Sequence, residues 1–328
     1  MDLFELTKKL VAIPSPSGEE KEVIDFLSAY LKSLGFFVEL QEVSKERFNI
    51  YARYGEPIIV FSTHMDTVLP FLPLNEDSGF IYGRGTCDAK GIIAAQIKAA
   101  EKLISSGIEQ IGLLFVVGEE SGSDGAKKAN FIPNSSQFLI NGEPTDNKLA
   151  VGTKGALRVK ISTTGKAAHS AYPERGESAI VKLLDVLNEL RNISFPTDNL
   201  LGETSLNIGT ISGGTQANVI PDRADAELMI RTVSEVSIIK DIIEDKLGDR
   251  AEIDYLFESQ PVFLETLEGF ERSVVSFATD IPLLTNWGKP FLLGPGSILD
   301  AHTPGEKISK KELLRAVDLY CKLVEKLV

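Results

Sequence analysis

Three apolar segments of this chain are closely followed by acidic residues or histidine, and this pattern constrains the fold most. The segments and the polar residues after them are PIIVFST before His64 and Asp66, IGLLFVV before Glu119 and Glu120, and QFLIN before Glu143. Apolar runs of this length are typical of buried central strands. Because ligands bind beyond the carboxyl ends of such strands in open α/β sheets, these polar clusters mark a candidate site.

Helical patterns lie between these predicted strands. The segment Ser17-Gly-Glu-Glu20 fits a capping box ahead of an amphipathic helix, and a helix rich in alanine and isoleucine begins near Ala89. With 328 residues, the chain is long enough for one large or two ordinary domains. We therefore predict an α/β catalytic domain built on a mostly parallel sheet.

The pattern changes from about residue 155 onward. Strand and helix signals then follow in the order βαββαβ, with one helix from Ser178 to Leu190 and a second that Gly248 ends. This order is that of the ferredoxin-like split unit, and about 100 residues is a usual domain size. We therefore predict an inserted domain at 155–259, within a catalytic domain formed by 1–154 and 260–328.

The segment GRGTCDAKGI, from Gly83 to Ile92, surrounds one aspartate, Asp88, with glycines. It could be a loop that ends at a helix cap, a redox site at Cys87, or a loop that directs a carboxylate at a metal. Cys87 and Cys321 lie far apart in the sequence and no CxxC pair exists, which disfavours the redox hypothesis.

The histidines and carboxylates at the strand ends predict a metal site. Without a cation, converging carboxylates and imidazoles would repel one another or remain unpaired. Mixed histidine and carboxylate ligands suit zinc, with cobalt or manganese as substitutes. Two ions about 3.5–4 Å apart share a carboxylate, and Asp88 would complete six contacts by bridging them. The candidate ligands are His64, Asp88, Glu120, Glu143 and His302.

Five successive motifs resemble those of one known family. They are HMDTV from His64, GRGTCDAKG from Gly83, Glu119-Glu120, Gly142-Glu143-Pro144 and Ala301-His302-Thr303. The family is the dinuclear zinc family of acetylornithine deacetylase, succinyl-diaminopimelate desuccinylase, aminoacylases, glutamate carboxypeptidases and di- and tripeptidases. The resemblance covers essentially the whole chain. It implies a zinc-peptidase catalytic domain with an inserted ferredoxin-like lid and dimerisation domain, two Zn²⁺ ions per chain, and a homodimer formed through the lid.

The resemblance also implies a role for each candidate ligand. Asp88 would bridge the two metal ions. His64 and Glu143 would complete one metal site, and Glu120 and His302 would complete the other. Co²⁺ or Mn²⁺ could substitute for zinc in both sites.

Three catalytic roles follow from the same resemblance. Asp66 would orient His64. Glu119 would be the general base, which takes a proton from the metal-bridging water and passes it to the leaving amine. His169, in TGKAAHSAYP, resembles the lid histidine that stabilises the tetrahedral oxyanion, although a lone histidine in a loop is also ordinary.

Four further residues are candidate substrate contacts. Asn218 lies in GGTQANVIPD and resembles the family's substrate-contacting asparagine. Arg231, in LMIRT, resembles the family's arginine that clamps a substrate carboxylate, a role that its planar fork suits, or would be an ordinary charge on an edge strand. Gly294 and Ser297, in GPGS, resemble a substrate loop whose backbone amides could bind that carboxylate.

The predicted reaction is hydrolysis of the amide bond of an N-acyl amino acid, as in acetylornithine or acetyl-lysine deacetylases. The segments TDIPLL and FLLGPGS resemble that branch more than the tripeptidases. A dipeptidase or carboxypeptidase of the same family remains an alternative, as does a hydrolase that releases lysine or ornithine from an amino-group carrier protein. A non-catalytic binding protein on this fold is disfavoured, because Glu119 and every ligand position are filled.

Composition narrows the partners and the location. The formal net charge of −13 argues against nucleic acid or an acidic membrane as a partner. The start MDLFELTKKL does not fit a signal peptide, and no run of about 18 apolar residues predicts a membrane span. We therefore predict a cytoplasmic enzyme that acts on a small-molecule N-acyl amino acid or a short peptide.

Overall fold

The computed structural model describes residues 1–328, which divide into two compact units. The bounds of the first unit are Met1–Val151, Leu264–Ser273 and Thr279–Val328, and those of the second are Gly152–Phe263 and Val274–Ala278. The insertion predicted at 155–259 lies within the second unit. The segment Val274–Ala278, which the sequence placed in the catalytic domain, clusters with the second unit instead.

A six-stranded mixed sheet forms the centre of the first unit. Its strands, in spatial order, are Phe37–Ser44, Arg47–Tyr54, Ile111–Val116, Ile59–His64, Phe138–Asn141 and Lys289–Leu292. The last four strands are mutually parallel, and the first two form an antiparallel hairpin at one edge. The prediction of an α/β fold is therefore confirmed, and the mostly parallel sheet has an antiparallel edge.

Helices cover both faces of this sheet. The helices of the first unit are Leu3–Val11, Lys21–Ser33, Lys90–Ser105, Asp124–Ala129 and Lys310–Glu325. The larger core packs the long helices against one face of the sheet, which contributes side chains such as Phe61 and Phe115. On the other face, a smaller cluster gathers Val60 and Leu114 around the fully buried Trp287. The alternate faces of each central strand are thus both apolar, which explains the near-continuous apolar runs in the sequence.

The predicted capping box at Ser17–Glu20 is wrong. The helix begins at Lys21, and its N-cap residue Glu20 makes no side-chain capping bond. Instead, the Ser17 hydroxyl donates to the Asp66 carboxylate at 2.6 Å, and Glu20 pairs with Arg47 at 2.8 Å. Contacts that are distant in sequence have replaced the local ones that the motif predicts.

The second unit contains a four-stranded antiparallel sheet. Its strands, in spatial order, are Ser205–Gly213, Arg223–Thr232, Gly155–Thr164 and Glu252–Ser259, and its helices are Ala179–Arg191 and Val236–Leu247. Numbered along the chain, these strands stand in the order 2-3-1-4, with both helices packed into one core. The chain order βαββαβ is therefore the predicted ferredoxin-like unit. Arg231 lies on an inner strand rather than on an edge strand.

Short strands complete the two units. They are Asn75–Glu76, Phe80–Tyr82 and Lys307–Ser309 in the first unit, and Ala168–His169 with Val219–Ile220 and Thr197–Asp198 with Gly202–Glu203 in the second. Leu149–Thr153, Val262–Phe263 and Arg272–Val275 form a further three-stranded sheet. None of the helices combines the length and the apolar character needed to cross a membrane.

Gly91 is the first glycine to test, because it lies where the loop that carries Asp88 turns into a helix. A Cβ atom on Gly91 would lie 2.3 Å from the Thr86 carbonyl oxygen, which is backbone and cannot move aside easily. We expect Gly91→Ala to lower the free energy of unfolding by about 1–3 kcal/mol, as overpacking does. Urea unfolding would measure this loss.

The matched control for this prediction is Gly305→Ala. Nothing lies within 4 Å of a Cβ atom at Gly305, so this substitution should leave the free energy of unfolding nearly unchanged. Equal stability of the two variants would contradict the proposed close approach at Gly91.

Candidate metal centre

The central strands bring the predicted ligands to one edge of the sheet. His64 is the last residue of Ile59–His64 and pairs in register with Val116 of the parallel neighbour. Glu119 and Glu120 begin the short turn just beyond that neighbour, and Glu143 follows the strand on the other side. Parallel strands end at the same edge of a sheet, so side chains from all three loops converge there.

Two overlapping groups of potential ligand atoms form at this edge. The first group is His64, Asp88 and Glu143, and the second is Asp88, Glu120 and His302. Within each group, one ligand atom from every residue lies within 4.8 Å of the others. The structure thus brings together all five residues that the sequence nominated, with Asp88 common to both groups.

Asp88 presents a different oxygen to each histidine. Its Oδ1 lies 2.9 Å from His64 Nε2, and its Oδ2 lies 3.4 Å from His302 Nε2. The same His302 nitrogen is 2.8 Å from Glu120 Oε1. A carboxylate whose two oxygens face two different imidazoles has the geometry that a bridging ligand requires.

The loop that carries Asp88 is held by a buried carboxylate that the sequence analysis missed. Glu306 accepts hydrogen bonds from the backbone amides of Gly85 at 2.8 Å, Cys87 at 3.2 Å and Asp88 at 3.3 Å. It also pairs with the buried Arg84 at 2.5 Å. Glu306 lies only four residues after His302 in AHTPGE, but nothing in that motif indicated a partner more than 200 residues away.

Asp66 holds His64 and the turn that carries the two glutamates. His64 Nδ1 lies 2.9 Å from the Asp66 carbonyl oxygen and 3.4 Å from its carboxylate. The same carboxylate accepts from the backbone amides of Glu119 at 3.1 Å and Glu120 at 3.2 Å. Asp66 is completely buried, so these contacts fix the imidazole in one orientation.

The charges at this edge fit a bound cation. Burial raises the pKa of Glu119 and Glu143 well above the ordinary value, and the neighbouring carboxylates, Asp88 among them, raise it further. Hydrogen bonds to Asp88 and Glu120 raise the pKa of His302 to about 10. Several acidic groups therefore lie close together beside the imidazoles of His64 and His302. Divalent cations at these positions would offset that negative charge, and the imidazole and carboxylate donors suit zinc, cobalt or manganese.

Asp280 is a second buried acid that the sequence analysis did not single out. It lies in TDIPLL, and burial raises its pKa to about 6. Its Oδ1 has no hydrogen-bond partner in the chain. Asp280 also contributes to the negative field that acts on Glu119 and Glu143.

Cys87 has the environment of a buried thiol rather than of a redox centre. Burial raises its pKa well above the ordinary value, and its Sγ donates to the Ser297 carbonyl oxygen at 3.2 Å. Cys87 and Cys321 are both free and buried. A raised thiol pKa disfavours the reactive thiolate, which argues against the redox hypothesis.

Gly294 and Ser297, the candidate substrate residues of the first unit, pack against the backbone around the candidate ligand Glu143. A Cβ atom on Gly294 would lie 2.4 Å from the Glu143 carbonyl oxygen, so only glycine fits there. Ser297 forms an isolated bridge with Thr145, two residues after Glu143. The predicted GPGS loop therefore packs directly against the backbone that carries Glu143.

The remaining candidates lie in the second unit. His169 and Asn218 are neighbours there: the Ser170 amide donates to the Asn218 carbonyl oxygen at 3.0 Å, and both side chains are exposed. Arg231 is half-buried, and burial lowers its pKa without any carboxylate to oppose that shift. An arginine that lacks an acidic partner in the chain is free to bind an external anion.

A buried carboxylate shared by two histidine–glutamate pairs, with a further glutamate beside them, is the arrangement of a metal-dependent hydrolase. The chain belongs to the M20 peptidase family. It is 43% identical to a peptidase M20 domain-containing protein of Schizosaccharomyces pombe, over 98% of this chain and 84% of that protein. It is 38% identical to a probable carboxypeptidase of Aspergillus clavatus, over 99% of this chain and 88% of that protein.

Two further comparisons describe the fold. Residues 151–254 match the family model described as the peptidase dimerisation domain. The crystal structure of a tripeptidase from Staphylococcus aureus is similar with a TM-score of 0.82, at 22% identity, over 99% of this chain and 98% of that chain. The family resemblance and the predicted fold are therefore confirmed, and the protein is a metal-dependent hydrolase.

The pair of Arg84 and Glu306 should be essential for stability. Their side chains are 2% and 0% exposed, so Glu306→Gln would leave the Arg84 guanidinium buried without a counter-charge. We expect the free energy of unfolding to fall by about 3–5 kcal/mol, as when one partner of a buried pair is removed. Guanidinium unfolding of the purified variant would measure it.

Glu189→Gln is the control for an exposed ion pair. Glu189 pairs with Arg250 at 2.6 Å, but their side chains are 35% and 49% exposed. The Glu189→Gln variant should lose less than about 1 kcal/mol of its free energy of unfolding. A loss at Glu306 no larger than that at Glu189 would show that Arg84 and Glu306 do not depend on each other.

Proposed function

We propose that this protein hydrolyses the amide bond between an acyl group and an amino acid that has a free α-carboxylate. The substrate is either an N-acyl amino acid, as the sequence motifs predict, or a short peptide cleaved at its C-terminal bond. The observation that carries the proposal is the unpaired, half-buried guanidinium of Arg231, which suits a bidentate grip on a carboxylate. A carboxylate beside the scissile bond is common to both substrate types.

The proposed cofactor is two Zn²⁺ ions per chain, with Co²⁺ or Mn²⁺ able to substitute. His64 and Glu143 would hold one ion, Glu120 and His302 the other, and Asp88 both, as their clustering supports. When bound, the ions would supply Lewis acidity, which polarises the scissile carbonyl and lowers the pKa of water.

Glu119 performs the proton transfers in this proposal. Its carboxylate takes one proton from the attacking water as the water oxygen bonds to the carbonyl carbon. It then gives that proton to the nitrogen as the carbon–nitrogen bond breaks, so that a carboxylic acid and a free amine result. Burial raises the pKa of Glu119 above its ordinary value, which favours proton uptake by this carboxylate.

The remaining residues bind and orient the substrate. Asp66 keeps the His64 imidazole in place through the contacts described above. His169 is proposed to donate a hydrogen bond to the oxyanion, and Asn218 to contact the substrate. Gly294 and Ser297 are proposed to offer backbone amides to the substrate carboxylate.

The carboxypeptidase alternative has one specific observation in its favour. The Aspergillus clavatus relative is called a probable carboxypeptidase and matches nearly the whole chain. The deacylase proposal rests on the motifs TDIPLL and FLLGPGS. Both reactions use the same residues, so a direct comparison of substrates must decide between them.

We would measure amine release from acylated amino acids and peptides, together with the metal content of the protein. The panel contains N-acetyl-ornithine, N-acetyl-lysine, N-acetyl-citrulline, succinyl-diaminopimelate and several di- and tripeptides, each also in a form with its carboxylate amidated. We expect two zinc ions per chain and turnover of free carboxylates only. Glu119→Gln should lower kcat by about 10²–10⁴-fold with metal retained, because it removes the general base.

Each outcome tests a different part of the proposal. Cleavage of peptides alone would assign the protein to the carboxypeptidases or dipeptidases. Equal cleavage of amidated substrates would overturn the role of Arg231. His169→Ala should lower kcat by about 10²–10³-fold with metal retained, since it removes an oxyanion donor. A loss below tenfold would contradict that role.

We also propose that the protein is a homodimer formed through the second unit, which the dimerisation model matches. Ser205–Gly213 is an edge strand, available for pairing with a second copy. The adjacent helix exposes Val181 and Leu184, whose side chains are 56% and 52% exposed. These apolar groups suit an isologous interface.

The double variant Val181→Asp/Leu184→Asp should therefore be monomeric. Two buried carboxylates facing their copies across an isologous interface would repel one another and lack partners. Sedimentation equilibrium would measure the mass. The matched control is Ile238→Asp, which changes an exposed apolar residue on the other helix of the unit and should leave the dimer intact. A wild-type monomer, or an intact dimer of the double variant, would contradict this interface.

A further inference from the structure

Ser17 makes a side-chain contact that the proposed ligand set does not include. Its Oγ donates to Asp66 Oδ2 at 2.6 Å, a short bond between a hydroxyl and a completely buried carboxylate. Bonds of this kind, between a hydroxyl and an ionised oxygen, are among the stronger hydrogen bonds in proteins. The sequence motif around Ser17 predicted a helix cap, and the structure shows that the hydroxyl is used here instead.

Asp66 connects Ser17 with residues of both proposed metal sites. Its carboxylate lies beside the His64 imidazole and accepts from the amides of Glu119 and Glu120. One oxygen, Oδ2, accepts from both Ser17 and the Glu120 amide. The orientation of this carboxylate therefore affects the positions of His64, which is a candidate ligand of one site, and Glu120, which is a candidate ligand of the other. It also affects the position of the proposed general base, Glu119.

The segment around Ser17 is itself held firmly. Backbone bonds tie it to the residues around Asp66: the Thr67 amide donates to the Ser15 carbonyl oxygen at 2.9 Å, and the Ser17 amide to the Thr67 carbonyl oxygen at 3.3 Å. The buried Lys90 donates to the Ile13 carbonyl oxygen at 2.5 Å. Lys90 opens the helix that follows Asp88, so this segment joins the Asp66 and Asp88 loops.

The far side of the segment is held as well. Glu20, whose side chain is fully buried, accepts two bonds from Arg47, at 2.8 and 2.9 Å. Arg47 also pairs with Asp124, which begins the helix after the Glu119–Glu120 turn. The Ser17 hydroxyl is thus presented by a backbone that is fixed on both sides, so it has little freedom to leave Asp66.

We propose that Ser17 is a positioning residue for the reaction: through Asp66 it holds His64 and the Glu119–Glu120 turn in the geometry that binds metal and moves the proton. This inference rests on the proposed function. Loss of the hydroxyl removes one of the two donors to Asp66 Oδ2, and the carboxylate then turns to satisfy its remaining donors. His64 and the Glu120 amide turn with it.

The test is metal binding rather than activity alone. Purified protein is stripped of metal, and Zn²⁺ affinity is measured by competition with a chelating dye. The visible absorption spectrum of the Co²⁺-loaded protein is recorded in parallel. The variants are Ser17→Ala, Ser17→Thr and Ser15→Ala. Removing a group that orients a ligand typically lowers metal affinity or activity about 10–100-fold, and we expect a loss in this range for Ser17→Ala.

Ser15→Ala is the matched control within the same segment. Ser15 Oγ donates to the Met65 carbonyl oxygen at 2.8 Å. The Ser15→Ala variant therefore loses a buried hydroxyl hydrogen bond of similar length, but no bond to Asp66. We expect Ser15→Ala to lose stability but to keep the wild-type zinc affinity and cobalt spectrum. Ser17→Thr retains the hydroxyl and should restore both measurements to near the wild-type values.

The outcomes distinguish this inference from the proposed function. If wild-type protein binds two ions and Ser17→Ala binds them as tightly, with an unchanged cobalt spectrum, the role of Ser17 is overturned while the metal site stands. Equal losses in Ser15→Ala and Ser17→Ala would also overturn it, because both would then act through the fold. If the wild-type protein binds no divalent ion, the proposed function fails and the inference fails with it.

Discussion

The candidate site depends on one buried carboxylate. Asp66 receives donors from the N-terminal segment and from the turn after the strand Ile111–Val116, and it lies against His64 at the end of its own strand. A buried charge is tolerable only when its oxygens are hydrogen-bonded, so these segments must assemble together or not at all. The position of the proposed general base, Glu119, is therefore a property of the folded sheet edge rather than of its own turn.

A second buried carboxylate, Glu306, fixes the loop that carries Asp88, as Asp66 fixes the imidazole of His64. It neutralises Arg84 and accepts three backbone amides of the loop, so its charge is well compensated. Burial raises the pKa of Glu306, and Arg84 and the backbone amides of the loop oppose that shift. At Glu119 and Glu143 burial also raises the pKa, and neighbouring carboxylates raise it further. The framework carboxylate is thus paired within the chain, whereas the acids of the candidate site lie among like charges. Such separation is expected where function is gained at a cost in stability.

The sequence predicted the features that depend on order along the chain. The strand ends, the candidate ligands that follow them and the βαββαβ order are all local patterns, and in the structure the candidate ligands form two groups at one sheet edge. It did not predict features that depend on partners distant in sequence. Ser17 matched a local capping motif but bonds to Asp66, 49 residues away. Glu306 and Asp280 are acidic residues in loops, which would ordinarily be solvated, and only the fold buries them.

The distribution of residues between the two units bears on substrate choice. Every candidate metal ligand and Glu119 lie in the first unit, whereas His169, Asn218 and Arg231 lie in the second. Relatives described as a peptidase M20 domain-containing protein and as a probable carboxypeptidase match nearly the whole of this chain. We propose that substrate choice in this chain depends on residues outside the candidate ligand set. In this chain the most informative of them is Arg231, because a half-buried guanidinium without an acidic partner gains most from a ligand that carries a carboxylate.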